Sequence, residues 1–182
     1  MAHGKLVLTY QAYLRMPDDG MRRELLGGDL HVTPAPGPSH QRVVLRLAVL
    51  LDAWVRRHAL GEVFPAPVDV VLSEADVVQP DLVYVSAGRL DIVTARAIQG
   101  APDLVVEVLS PSTAPLDRGP KLATYARAGV REYWLVDPDM RAAEQHVPEG
   151  GAFRPAARAA GDGTFTSPLL SGLSITPADI WR

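Results

Sequence analysis

Leu104-Val105-Val106-Glu107-Val108-Leu109 is apolar at every position but one. A strand of that composition cannot turn either face to water. It must lie between two layers, so the chain has to build a sheet covered on both sides. Val68 to Leu72 and Leu82 to Val85 read the same way. The 182 residues suffice for one such domain, spanning 1–182, and a domain of that size buries roughly 70% of its unfolded surface.

The remaining elements follow from caps, breakers and periodicity. Thr9 is placed to cap a short helix running through Tyr13 to Met16, and Pro17 to Gly20 reads as a turn. Glu24 to Val32 reads as a hairpin turning at Gly27-Gly28. The clearest helix runs from Ser39, its expected N-cap, to Leu60, with Gly61 as the residue that ends it. Val43, Val44, Leu47, Leu51 and Val55 share one of its faces, and Arg42, Arg46, Arg56 and Arg57 share another. Asp117 to Ala128 has a helical pattern closed by Gly129. Glu132 to Val136, Glu144 to Val147 and Phe165 to Leu170 read as strands, with Arg154 to Gly163 as a loop between the last two. Tyr133 and Trp134 are expected to cover opposite faces of a core strand.

Composition narrows the function. A hydrophobic fraction of 47% and a charged fraction of 21% exclude a disordered chain and a coiled coil. The longest apolar stretch, Val43 to Val55, is broken by Arg46 and Asp52, so no membrane span is expected. The first ten residues lack the apolar core of a secretory signal. Cysteine is absent, which removes disulfides and thiolate chemistry and fits the cytoplasm. The net charge of -3 leaves nucleic-acid contact to a local basic patch, for which the arginine face of the long helix is the candidate. The plainer account of that face is a solvated surface.

Two carboxylates sit where a core should be. Glu107 shares its strand face with Val105 and Leu109, and Asp81 shares its own with Val83 and Val85. A carboxylate in such a place is costly unless it is paired, hydrogen-bonded or bound to a cation. The plain alternatives are a solvent-facing strand-end Asp81 and a Glu107 paired with an arginine. On adjacent strands the two would form a hard oxygen site suited to Mg²⁺ or Mn²⁺ rather than zinc. The five histidines show no zinc-ligand spacing. Ser110-Pro111-Ser112-Thr113 lacks the context of a serine nucleophile.

An ordered series of motifs resembles the Uma-type family of restriction-endonuclease-like proteins, within the PD-(D/E)-x-K nucleases. Glu24-Leu25-Leu26-Gly27-Gly28-Asp29-Leu30 resembles the family's opening block, and Ser39-His40-Gln41 its helix start. Gln79-Pro80-Asp81-Leu82 and Val106 to Thr113 resemble its two strand motifs. Lys121-Leu122, Tyr125, Gly129-Val130 and Glu132 to Pro138 resemble its last block.

The resemblance implies an α/β fold: a restriction-endonuclease-like mixed sheet with flanking helices and an N-terminal β-hairpin. It also implies a Mg²⁺- or Mn²⁺-dependent endonuclease acting on DNA, as a homodimer. Carried over by position, Glu24, Asp81 and Glu107 bind metal and Lys121 completes the catalytic set. The usual lysine position, two residues after the glutamate, is Leu109 here. Lys121 on the following helix replaces it. His40 faces the sheet, either as a half-buried core histidine or as a supporting residue that meets Glu24 or a metal-bound water. Tyr125 reads as packing. Without a metal, Glu24, Asp81 and Glu107 are expected to repel one another. Leu109 also motivates a rival reading, a weak or inactive nuclease-like module that binds DNA or a protein partner.

Overall fold

The computed structural model describes residues 7–17 and 19–181. Residues 1–6 lie outside it, as does Asp18 in the expected Pro17–Gly20 turn. The chain opens with α1 (Tyr10–Tyr13), which Thr9 caps as expected by accepting from Ala12 N at 3.4 Å. The hairpin follows as β1 (Arg22–Leu26) and β2 (Asp29–Thr33). Gly27 and Gly28 both take positive φ, 56° and 79°, as a tight two-residue turn requires.

The long helix, α2, is Pro38–Arg57. Its N-cap is Gly37 and not Ser39, because Pro38 takes the first helical position, where its missing N–H costs nothing. Gly61 does not end the helix but begins a strand, β3 (Gly61–Pro65). Its φ is +142°, and a Cβ there would collide with the carbonyl oxygen of Val85 on the neighbouring strand. Next come β4 (Val70–Ser73), β5 (Asp76–Val78), β6 (Leu82–Ser86), a 3₁₀ turn at Ala87–Ile92, β7 (Ile98–Gln99) and β8 (Leu104–Val108).

The expected helix over 117–128 is divided. A short α3 (Ala114–Leu116) runs into a π turn (Asp117–Lys121) and then into α4 (Leu122–Ala128), which ends at Gly129 in the left-handed conformation. Pro120 accounts for the wider turn: it has no N–H, and its ring crowds the carbonyl four residues back.

The chain closes with β9 (Glu132–Asp137), β10 (Ala142–Glu149), β11 (Ala152–Ala160), β12 (Phe165–Thr166), β13 (Ser174–Ile175) and α5 (Pro177–Trp181). The Arg154–Gly163 loop expectation fails, since most of it is β11. That strand lies at the sheet edge and is largely exposed, so it shows no apolar alternation. Pro155 is tolerated because it falls beside the register shift at Gln145/His146. The expected strand at 165–170 shrinks to β12.

A six-stranded mixed sheet runs β11-β10-β9-β8-β6-β3, and a five-stranded sheet runs β2-β1-β5-β4-β7. One face of the larger sheet presents Tyr84, Leu104, Val106, Val108 and Trp134 to α2 and the C-terminal segment. The other presents Val83, Val105, Tyr133 and Leu135 to Leu26, Val70 and Val78 of the smaller sheet and Tyr125 of α4. This is the doubly covered sheet anticipated from the apolar runs, and it carries the mixed pairing, flanking helices and N-terminal hairpin that the resemblance implies. No helix among the described residues is long and apolar enough to cross a membrane.

Candidate active site

β6 and β8 pair antiparallel with Leu82 opposite Val106, which brings Asp81 level with Glu107. Glu107 sits on the face turned to the smaller sheet, and there β1 contributes Glu24. The π turn closes the group with Asp117 and Lys121. Burial is nearly complete: Glu24, Asp81, Glu107 and Lys121 are 1%, 3%, 2% and 1% exposed. Every residue expected from the sequence is therefore in one place.

Lys121 Nζ donates to Glu24 Oε1 at 2.8 Å and to Glu107 Oε1 at 2.9 Å, and it lies 3.5 Å from Asp117 Oδ1. Glu24 Oε1 also accepts Gln79 N at 2.8 Å, tying β1 to the entry of β6. Tyr125 OH donates to Glu107 Oε1 at 2.8 Å, so this tyrosine is part of the site as well as of the core. Asp81 Oδ2 accepts Val108 N at 2.8 Å and lies 3.1 Å from His40 Nε2. His40 thus meets Asp81 and not Glu24. Arg22 Nη1 donates to Asp81 Oδ1 at 3.1 Å, while Nη2 donates to the Gln79 carbonyl and lies 3.8 Å from Glu107 Oε2.

The carboxylates are not a bare, mutually repelling cluster, because two cations are threaded between them. The sequence reading missed Arg22 and Asp117. Each carried a signal: Arg22 is two residues before Glu24 on the same strand face, and Asp117 is one helical turn before Lys121.

The balance still favours negative charge. Burial, reinforced by Asp117, Asp81 and Glu24, pushes the Glu107 carboxyl up to about 8 against the pull of Lys121. Burial raises Asp117 as well. Asp81 goes the other way: burial opposes ionisation, but the hydrogen bond with His40, the charge of Arg22 and the Val108 N–H outweigh it and hold Asp81 below the usual range. Lys121 is held above its ordinary value, since Glu107, Glu24 and Asp117 outweigh its burial.

Access is through a cavity of about 100 Å³ lined by Arg22, His40, Asp81, Glu107, Asp117 and Lys121. Beside it opens a cleft of about 610 Å³ that shares Arg22, Asp81 and the Thr33–Pro36 segment. The helix arginines have other duties: Arg46 Nη1 donates to the Ile180 carbonyl at 2.9 Å, and Arg56 pairs with Asp52 at 2.9 Å. Arg42 and Arg57 are exposed.

A solved structure from Anabaena variabilis ATCC 29413, described as a "putative nuclease belonging to DUF820", superimposes with a TM-score of 0.81. It shares 18% identity over 96% of this chain and 97% of its own, a likeness of fold. No curated protein matches the chain. The family model "Uma2: Putative restriction endonuclease" matches residues 10–178, a span that takes in the hairpin, both carboxylate strands and the lysine turn. The chain belongs to the Uma2 family of restriction-endonuclease-like proteins.

Proposed function

We propose that this chain is a Mg²⁺- or Mn²⁺-dependent endonuclease that hydrolyses phosphodiester bonds in DNA. The observation that carries the reading is Lys121. Leu109 leaves the strand without its lysine, yet a buried ammonium from the π turn reaches Glu107 at 2.9 Å, beside Asp81.

Asp81 and Glu107 are the residues that would hold the cation, with Glu24 behind them. Two carboxylates suit Mg²⁺, which keeps several waters and takes only one or two protein carboxylates. Glu24 Oε2 is buried without a hydrogen-bond partner, a further oxygen toward the same group. When bound, such a cation lowers the pKa of water and offsets charge developing on the phosphoryl group. Lys121 supplies a fixed positive charge that needs no reorganisation during reaction. With Tyr125 it pins Glu107 Oε1. His40 and Val108 N pin Asp81 Oδ2 in the same way.

DNA is the substrate in this reading, and the chain acts in the cytoplasm. For a homodimer the supporting feature is the pair Leu45 and Val49, one turn apart on α2 and 64% and 61% exposed.

The test is cleavage of plasmid and of short single- and double-stranded DNA with Mn²⁺. Wild type cuts, and Glu107→Gln loses activity with an unchanged far-UV circular dichroism spectrum. A Glu107→Gln protein that cuts as well as wild type removes this site from the reaction. The second reading, a binding module, has one observation in its favour. Among the described residues no three His, Cys, Asp or Glu side chains converge as a ready metal cage. Wild type that binds DNA yet never cuts it, with either metal, establishes that reading instead.

A further inference from the structure

We infer that Arg22 occupies the cation position between Asp81 and Glu107 and that a divalent ion binds by displacing it. The inference rests on the metal-dependent reading above.

The four carboxylate oxygens of the pair divide into two sets. Asp81 Oδ2 is taken by Val108 N and His40, and Glu107 Oε1 by Lys121 and Tyr125. Asp81 Oδ1 and Glu107 Oε2 remain, and the Arg22 guanidinium serves both, at 3.1 and 3.8 Å. Those are the oxygens a metal would need.

A guanidinium fits that place loosely. Its contact to Glu107 exceeds hydrogen-bond length, whereas Mg²⁺ takes oxygens at about 2.0–2.1 Å. Leaving costs the side chain its hydrogen bond from Nη2 to the Gln79 carbonyl, but it is not enclosed. It is 19% exposed, more than any group it pairs with here, and its buried Nε has no hydrogen-bond partner. Arg22 also lines both the small cavity and the larger cleft, so a route out exists. A guanidinium that moves into that cleft is suited to grip a phosphate by two parallel hydrogen bonds.

Two roles are thereby distinguished. As a permanent structural partner, Arg22 would stabilise the fold and keep its contacts to Asp81 and Gln79 with the metal bound, repelling the ion only through space. As a stand-in cation, it competes, and its removal must tighten metal binding. A hydrogen bond to a charged group is worth about 10- to 100-fold in an equilibrium constant.

The experiment is calorimetric titration of the full chain with Mn²⁺ alone, without nucleic acid. Wild type, Arg22→Gln, Asp81→Asn and the double variant are compared. The expected result is Mn²⁺ binding about 10- to 100-fold tighter in Arg22→Gln than in wild type, and none in the two proteins lacking Asp81. Metal-free Arg22→Gln should melt below wild type and recover more than wild type on adding Mn²⁺. Equal or weaker binding in Arg22→Gln, with wild type binding normally, overturns the stand-in role and spares the metal site. Absence of binding in wild type and Arg22→Gln alike overturns both. A measurement that needs no variant covers a failure of Arg22→Gln to fold. The Arg22 Nε–H resonance of wild type should shift and lose protection from solvent exchange at saturating Mg²⁺. An unmoved resonance in a metal-bound protein rejects displacement.

Discussion

Lys121 Nζ donates to Glu107 Oε1 at 2.9 Å across a separation of 14 residues, and both side chains are only 2% exposed. The contact joins a strand to a π turn. It fixes the lysine as a charged group whose neighbours of opposite sign among the described residues, Glu24, Glu107 and Asp117, all belong to the site.

Lys121→Ala should therefore have two separate effects. Turnover should fall by about 10²–10³, the loss expected for one electrostatic donor. Stability should also fall by about 3–5 kcal/mol, because Glu24 and Glu107 are left buried without their ammonium. Single-turnover kinetics and urea melts measure the two. An alanine variant as stable as wild type would mean that the ion pairs do not hold the site together.

The pH dependence of metal-free stability has a definite sign. Glu107 titrates at about 8 in the folded protein and at about 4.3 in an unfolded chain. Between those values the folded state binds more protons than the unfolded state, so stability falls as pH rises from about 4.5 to 8. Asp117, also raised, acts in the same direction. Asp81 is depressed, so its contribution is present above the unfolded aspartate value and is lost only as pH falls into the acid range. Urea midpoints in EDTA should decline from mildly acidic pH towards pH 8, and Glu107→Gln should flatten that decline. A wild-type midpoint that climbs across the window contradicts the assignment.

Glu132 should act as a structural latch, apart from the catalytic group. It is fully buried and accepts from Trp134 Nε1 at 2.6 Å, Ser167 Oγ at 2.8 Å, Leu169 N at 3.3 Å and Gln145 Nε2. These bonds tie the segment after β11 to the central sheet. Glu132→Ala strands several donors and should cost about 2–4 kcal/mol. Hydrogen exchange should accelerate first around β12 and β13. Unchanged exchange there would show that packing alone holds the segment.

Arg46 should matter to folding more than to DNA. Loss of its bond to the Ile180 carbonyl in Arg46→Ala should cost about 1 kcal/mol, with the salt dependence of DNA binding unaltered. A log–log slope reduced by about 0.9 would put Arg46 on a phosphate instead. Arg42, exposed near the start of α2, keeps the phosphate role open for that face.

Local chemistry alone determines much of this protein, without any tertiary contact. Valine and leucine on both faces of β6 and β8 required a covered sheet, and Gly27-Gly28 required the hairpin turn. A carboxylate at Glu107 within that apolar run demanded a partner, because an unpaired buried charge is not tolerated. The signal was weak where local chemistry is permissive. β11 is an edge strand whose pairing depends on the hydrogen-bonding groups of β10, not on its own side chains, and its alanines and arginines do not alternate. Of Glu107's partners, Lys121 came from the family resemblance, while Arg22 and the hydrogen bond from Tyr125 lay beyond any local pattern for a related reason. Arg22, Lys121 and Tyr125 come from three elements that have no periodicity in common. Charges pair through space over a few ångströms, so only the packing of β1, the π turn and α4 against β8 decided which cations entered the site.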